Sequence, residues 1–275
     1  MDWLTEPFSN EFMIRALLAG IFAVITTSVV GSWVVIRGLA FMGDALAHGV
    51  LPGIAVAFLL DVNLLVGAAA AAVVMILSIS LIHRTTRLTE DTAIGLLFVG
   101  MLALGVIIIS RSGSFAVDLV AILFGDVLGT TTNDVVIQAV AAGIAVAGVV
   151  AFYRPLMALS FNEEKAKVLG MSPRLSNLIM MALITLAVVT SFRTVGTMLV
   201  FGLLIAPPAT ASLVARRVPA MIVTSAAIGI LAVLAGLILS YHLDIATGAT
   251  MSGVAVAFFF ATLAFTRFTK RIPAQ

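Results

Sequence analysis

An aspartate and a histidine four residues apart, Asp44 and His48, stand inside GLAFMGDALAHGVLP at positions 38–52, a run otherwise apolar enough to cross a membrane. Residues at this spacing share one face of a helix, with Cβ atoms roughly 5–6 Å apart, so the carboxylate and the imidazole can reach one ion or each other. A charged carboxylate at the centre of a bilayer costs about 2.5–3.5 kcal/mol on insertion scales. Such a group therefore turns toward protein or a water-filled cavity, and it marks a substrate or ion path. The competing reading is structural: the two side chains pair with each other, or cap a helix broken near Gly38 and Gly43. One hard oxygen and one imidazole nitrogen suit Mn²⁺, Zn²⁺ or Fe²⁺. Cu(I) favours thiolates, and the chain has no cysteine; Mg²⁺ and Ca²⁺ prefer all-oxygen shells.

The elements that must position this pair are membrane helices. The 275 residues are 62% hydrophobic and 10% charged, with a mean hydropathy of +1.22, whereas soluble domains carry about 25% charged residues. The expected class is an all-α polytopic membrane protein, in contact with lipid. A net charge of +2 from scattered Lys and Arg gives no nucleic-acid patch. The first residues, MDWLTEPFSNEF, are acidic where a signal peptide is basic, so the first helix is expected to stay.

Apolar runs at 12–36, 39–60, 64–82, 92–110, 135–153, 175–192, 195–215, 219–241 and 245–268 predict nine spans, or eight if the proline-broken 195–215 is only re-entrant. The run 115–129, which carries Asp118 and Asp126, is too short to cross upright and reads as an interfacial segment on the outer side. Its two acids line an outer mouth or keep the segment wet. Arg37, Arg84, Arg87, Arg154, Lys165, Lys167, Arg174, Arg216, Arg217, Arg267, Lys270 and Arg271 mark the cytoplasmic ends. This places the N-terminus outside and the C-terminus inside, with Arg111 and Arg193 against the trend. Residues 1–275 form one domain, without a short repeat or a linker.

Smaller signals surround this frame. His242 and Asp244 fall at an external helix end, as a plain polar loop or a metal-receiving mouth. Pro207 and Pro208 interrupt a helix whose freed backbone groups neighbours must satisfy, at a gate, a cavity wall or a packing site. Thr89 or Asp91 caps the fourth span. Gly95, Gly100, Gly105 and the alanines at 68–72 are expected to let helices approach closely.

The longest polar loop contains SFNEEKAKVLG, residues 160–170, a short helix-forming stretch with Glu163, Glu164, Ala166 and Gly170. From charge alone it is a solvated connector. The order Glu164, Ala166, three residues, Gly170 nevertheless resembles the coupling-helix signature of binding-protein-dependent ABC importers. RGLAFMGDALAHGVLPG at 37–53 and GTMLVFGLLIAPPATA at 196–211 are similar to motifs of the ABC-3 group of manganese, zinc and iron permeases, and the likeness covers nearly the whole chain.

The resemblance implies a type II ABC importer fold like that of vitamin B12 permeases, here without their first helix, in a bacterial plasma membrane. It implies a permease that forms the metal path and has no cofactor of its own. Its partners are a cytoplasmic ATPase that binds ATP, an external metal-binding protein, and a second copy of the permease. The chain contains no G-x-x-x-x-G-K-[ST] loop, in keeping with ATP bound elsewhere. The same Asp and His lie in the path of the related manganese importers, so Asp44 and His48 carry over as metal ligands; Mn²⁺ is placed ahead of Zn²⁺, and Fe²⁺ behind both. Three rivals stand beside this reading: an ion-coupled secondary transporter with Asp44 as proton carrier, an importer of a metal chelate, and an intramembrane zinc enzyme. The last lacks an H-E-x-x-H pair.

Overall fold

The computed structural model describes residue 3 and residues 6–86, 88–110, 127–161 and 172–269, which are helical almost throughout. After a 3-10 turn at Glu6–Ser9 come α1, Glu11–Ile36; α2, Ala40–Gly49; α3, Leu51–Leu59; α4, Leu64–Thr85; α5, Glu90–Ile109; and α6, Thr132–Ala151. They are followed by α7, Tyr153–Phe161; α8, Pro173–Val195; α9, Thr197–Val214; α10, Val218–Leu243; and α11, Thr247–Thr269.

Helix starts follow local chemistry. The side chains of Asn63, Thr89, Thr131 and Ser172 each accept a first-turn N–H, at α4, α5, α6 and α8. Asp134 returns the bond to Thr131 and closes a capping box. Of the two candidates for the cap of α5, Thr89 takes the role. Between α1 and α2, Gly38 N–H donates to the Val35 carbonyl at 3.2 Å and Leu39 N–H to that of Val34 at 2.9 Å. Gly38 has φ 67°. This is a Schellman turn, and glycine meets its left-handed requirement without a Cβ penalty.

Among the described residues, eight stretches are long and apolar enough to cross a membrane: α1, α2 together with α3, α4, α5, α6, α8, α10 and α11. The expected ninth, α9, has a shorter apolar part, Val200–Val214, and packs against α1, α10 and α11. The helix α1 lies in the middle of the bundle, against α6, α8, α9 and α10, and Val24, Val30 and Trp33 are sealed from solvent. Its Thr26, Thr27 and Ser32 hydroxyls donate to carbonyls one turn earlier, at 2.9, 2.9 and 2.7 Å. These three hydroxyls thus enter the core already paired, while Ser28 Oγ and Trp33 Nε1 are buried without a hydrogen-bond partner. By contrast, α4 and α5 expose Leu77, Leu81, Leu96 and Val99, apolar surface suited to lipid.

The second expected span, 39–60, is matched by the crossing Ala40–Leu59, which is divided into α2 and α3 at Val50. Pro52 has no N–H for the carbonyl four residues back, and the Val50 N–H bonds to His48 O instead. The close-packing glycines differ from the expected set. Gly105 is tight, with a Cβ there falling 2.9 Å from Leu51 Cβ, but nothing lies within 4 Å of one on Gly100. Ala68 and Ala72 are buried while Ala69 and Ala70 face out, because only one face of a helix meets its neighbour. The closest approach at this crossing is Gly53 of α3 against Gly67 of α4, where a Cβ on either would overlap the other's carbonyl oxygen.

Candidate functional site

The helix α2 is short and enclosed, packed on α5, α9 and α8 and touching α4. Ala45, Leu46 and Ala47 are fully buried, and 72% of the span Ala40–Leu59 is covered by the rest of the chain. His48 begins about 12 Å into this span at 1.5 Å per residue, so it lies at hydrocarbon depth. The structure brings the predicted pair together: His48 Nε2 and Asp44 Oδ1 are 3.5 Å apart. That exceeds the usual 2.7–3.2 Å of a direct hydrogen bond. The Asp44 side chain keeps 29% of its surface open and that of His48 11%. The pair is thus reachable from the Asp44 side and walled on the His48 side.

An ion about 2.1 Å from each atom would see them about 110° apart, near a tetrahedral angle. An octahedral right angle needs the two atoms to close to about 3.0 Å, within reach of a small side-chain rotation. Among the described residues no group of three or more His, Asp or Glu side chains converges. The second ring nitrogen, Nδ1, is buried and without a hydrogen-bond partner. The imidazole is held instead by the edge of Phe98 from α5, with ring centroids 5.5 Å apart at 67°. Phe98 in turn meets Phe41 edge-on at 6.1 Å.

The other predicted residues lie apart from the pair or outside the described residues. Pro207 and Pro208 are buried within a helix that continues through them, α9. Pro208 has no N–H for the Leu204 carbonyl, and that oxygen lies against Gly31 of α1. His242 ends α10, which packs on α1, α9 and α11. Its Nε2 hydrogen-bonds the Trp3 carbonyl at 2.8 Å, and its ring stacks on the Trp3 ring at 4.3 Å. Asp244 is the left-handed residue, φ 53°, that ends the helix. Asp118, Asp126, Glu163, Glu164, Ala166 and Gly170 lie outside the described residues.

Three features escaped the reading of residues. Phe98 comes from another span, and nothing in its own neighbourhood signals His48. Arg37 was read only as a cytoplasmic mark, yet its Nη2 donates to Asn177 Oδ1 at 3.1 Å and ties the α1–α2 turn to the first turns of α8. Gly43 and Gly31 were visible as small residues, but not as the two contacts of Leu204.

The profile of the ABC 3 transport family matches residues 9–266. The manganese transport system membrane protein MntC of Listeria monocytogenes is 36% identical over 265 residues, 96% of this chain and 94% of that protein. A Haemophilus influenzae chain named "Probable iron transport system membrane protein" is 34% identical over 266 residues, 97% of this chain and 98% of its own length. Among solved structures, PsaBC from Streptococcus pneumoniae in complex with Fab superposes with a TM-score of 0.86 at 33% identity, over 95% of this chain and 94% of that one. A bundle with an acid and an imidazole inside one enclosed span, matched from end to end at this level, belongs to the ABC-3 transport family.

Proposed function

We propose that this chain is the membrane permease subunit of an ATP-driven importer of a divalent transition metal, with Mn²⁺ as first cargo, and that Asp44 and His48 line the metal's path. The observation that carries the site is the convergence of Asp44 Oδ1 and His48 Nε2 at 3.5 Å inside the most enclosed span. The manganese-named relatives support the cargo, and the iron-named relative keeps Fe²⁺ next to Zn²⁺ as a second cargo.

The chemistry follows from the donor set. A carboxylate supplies charge to replace part of the ion's hydration, and a neutral imidazole supplies a second, borderline-soft donor. Two donors from one chain leave most of a four- to six-ligand shell to water or to a second copy. An incomplete shell binds the ion firmly enough to admit it and weakly enough to release it, as conduction requires. Energy comes from a separate ATPase acting on the segment with Glu163, Glu164, Ala166 and Gly170, so that nucleotide biases a two-state change in access to the pair. A bacterial plasma-membrane location with the N-terminus outside, an external metal-binding protein and a paired permease complete the reading.

The test is accumulation of isotopic Mn²⁺ and Zn²⁺ in cells lacking this chain, complemented with wild type or Asp44→Asn at matched membrane abundance. Wild type restores Mn²⁺ accumulation, and Asp44→Asn lowers it at least about tenfold, a loss of at least about 1.4 kcal/mol of productive interaction. Equal uptake by the two forms would remove Asp44 from the path. Uptake that persists when the partner ATPase is inactivated would favour an ion-coupled carrier.

A further inference from the structure

One residue of α9, Leu204, lies against both α1 beside the proline pair and the Asp44 turn of α2. Leu204 is fully buried. Its backbone carbonyl, left without a helical donor by Pro208, lies against Gly31 of α1, where a Cβ would overlap the oxygen and also fall 3.1 Å from Pro208 Cγ. Its side chain points the other way: a Cβ on Gly43, the residue before Asp44, would stand 2.9 Å from Leu204 Cδ2. The nearest other atom, Phe201 Cδ2, is 4.0 Å away and on the same helix. Gly31 therefore seats the freed carbonyl, and Gly43 seats the leucine side chain. Leu204 thus limits how closely α9 and the Asp44 turn can approach at Gly43. Such contacts act in discrete packed states, because a close-packed interior does not deform continuously.

We propose that Leu204 is a positioning residue for Asp44, with the α9 proline pair locating the leucine through Gly31 and the leucine locating the Asp44 turn through Gly43. The proposal rests on Asp44 lying in the metal path, as proposed above, and does not require Leu204 to touch the ion.

The two glycine contacts differ in kind, and this makes the idea testable by rescue. A methyl on Gly43 meets the end of a side chain, which a smaller residue at 204 removes. A methyl on Gly31 meets a carbonyl, which no substitution at 204 removes. The experiment measures isotopic Mn²⁺ uptake against Mn²⁺ concentration for the complete importer in cells, at matched membrane abundance. The variants are Gly43→Ala, Gly31→Ala, Leu204→Ala, and each glycine variant combined with Leu204→Ala, with Asp44→Asn as control. Expected are a rise of about tenfold in half-saturating Mn²⁺ for Gly43→Ala, recovery to within about threefold of wild type on adding Leu204→Ala, and no recovery for Gly31→Ala with Leu204→Ala. Leu204→Ala alone raises half-saturation about threefold and leaves the maximal rate within about twofold, a split that simple loss of folded protein would not produce.

If Gly43→Ala transports like wild type, or if Leu204→Ala restores both glycine variants equally or neither, Leu204 does not position Asp44. Should a glycine variant fail to reach the membrane, the Leu204→Ala half-saturation decides alone, and should Leu204→Ala fail, that of the milder Leu204→Val does: an unchanged value overturns the proposal. If Asp44→Asn itself transports normally, it is the metal-path reading that fails, and the two failures stay distinct.

Discussion

His48 in α2 and His242 at the end of α10 carry the same side chain, and they differ in what their nitrogens meet. His242 has Nε2 committed to the Trp3 carbonyl at 2.8 Å and its ring stacked on that indole, with Tyr241 edge-on at 5.3 Å. His48 has a carboxylate oxygen 3.5 Å from Nε2, no hydrogen-bond partner for Nδ1, and an aromatic edge as its support. A ring that spends its Nε2 on a backbone carbonyl is a clasp on Trp3. The His48 ring is instead held by an aromatic contact, with Nε2 facing a carboxylate. The comparison separates two histidines that residue type alone treats alike.

The largest expected effect lies on the α2 side. Replacing His48 with Ala should lower Mn²⁺ accumulation about a hundredfold at matched membrane abundance, whereas His242→Ala should stay within about twofold. Comparable losses from both would end the distinction drawn here.

Next in size is the support of the ring. Phe98→Ala removes the edge contact on His48 and should raise half-saturating Mn²⁺ about fivefold, while Phe98→Leu, which keeps apolar bulk, should raise it less. Equal values for Phe98→Ala and wild type would show that the imidazole needs no aromatic support.

Smaller again is the clasp itself. His242→Ala should free residues around Trp3 and Glu6–Ser9, seen as faster backbone hydrogen exchange there, for a loss of about 1 kcal/mol of local stability. Unchanged exchange would mean that other contacts of the segment hold it.

The smallest effect is a control far from both histidines. Thr131→Ala breaks the capping box of α6 and should cost about 1 kcal/mol in unfolding measurements with Mn²⁺ uptake unchanged. A clear loss of uptake would mean that the α6 end is coupled to the path.

Local rules were enough to read a good part of this molecule. Long apolar runs predicted all eight long spans, because a helix in lipid must satisfy its backbone within itself and so needs an uninterrupted apolar stretch. Asp44 and His48 were legible because a spacing of four on any helix yields a shared face, whatever surrounds it. The break at Val50 was missed although Pro52 was in view: proline in a membrane helix can bend it or divide it, and the outcome depends on neighbours such as Met75, which fills the space beside Gly49. Gly100 and Gly53 read alike as small residues within apolar runs. One faces open space and the other faces Gly67, a distinction set by the partner helix.

By itself, then, the order of residues determined what could be decided within one helix: which runs cross the membrane, and which acid and imidazole share a face. Only the tertiary structure decided which of the histidines considered faces a carboxylate and which a backbone carbonyl, which aromatic ring holds His48, and that Leu204 links the α9 prolines to the Asp44 turn. These belong to contacts between spans far apart in the chain. Their geometry comes from close packing of whole helix faces, and no local spacing encodes it.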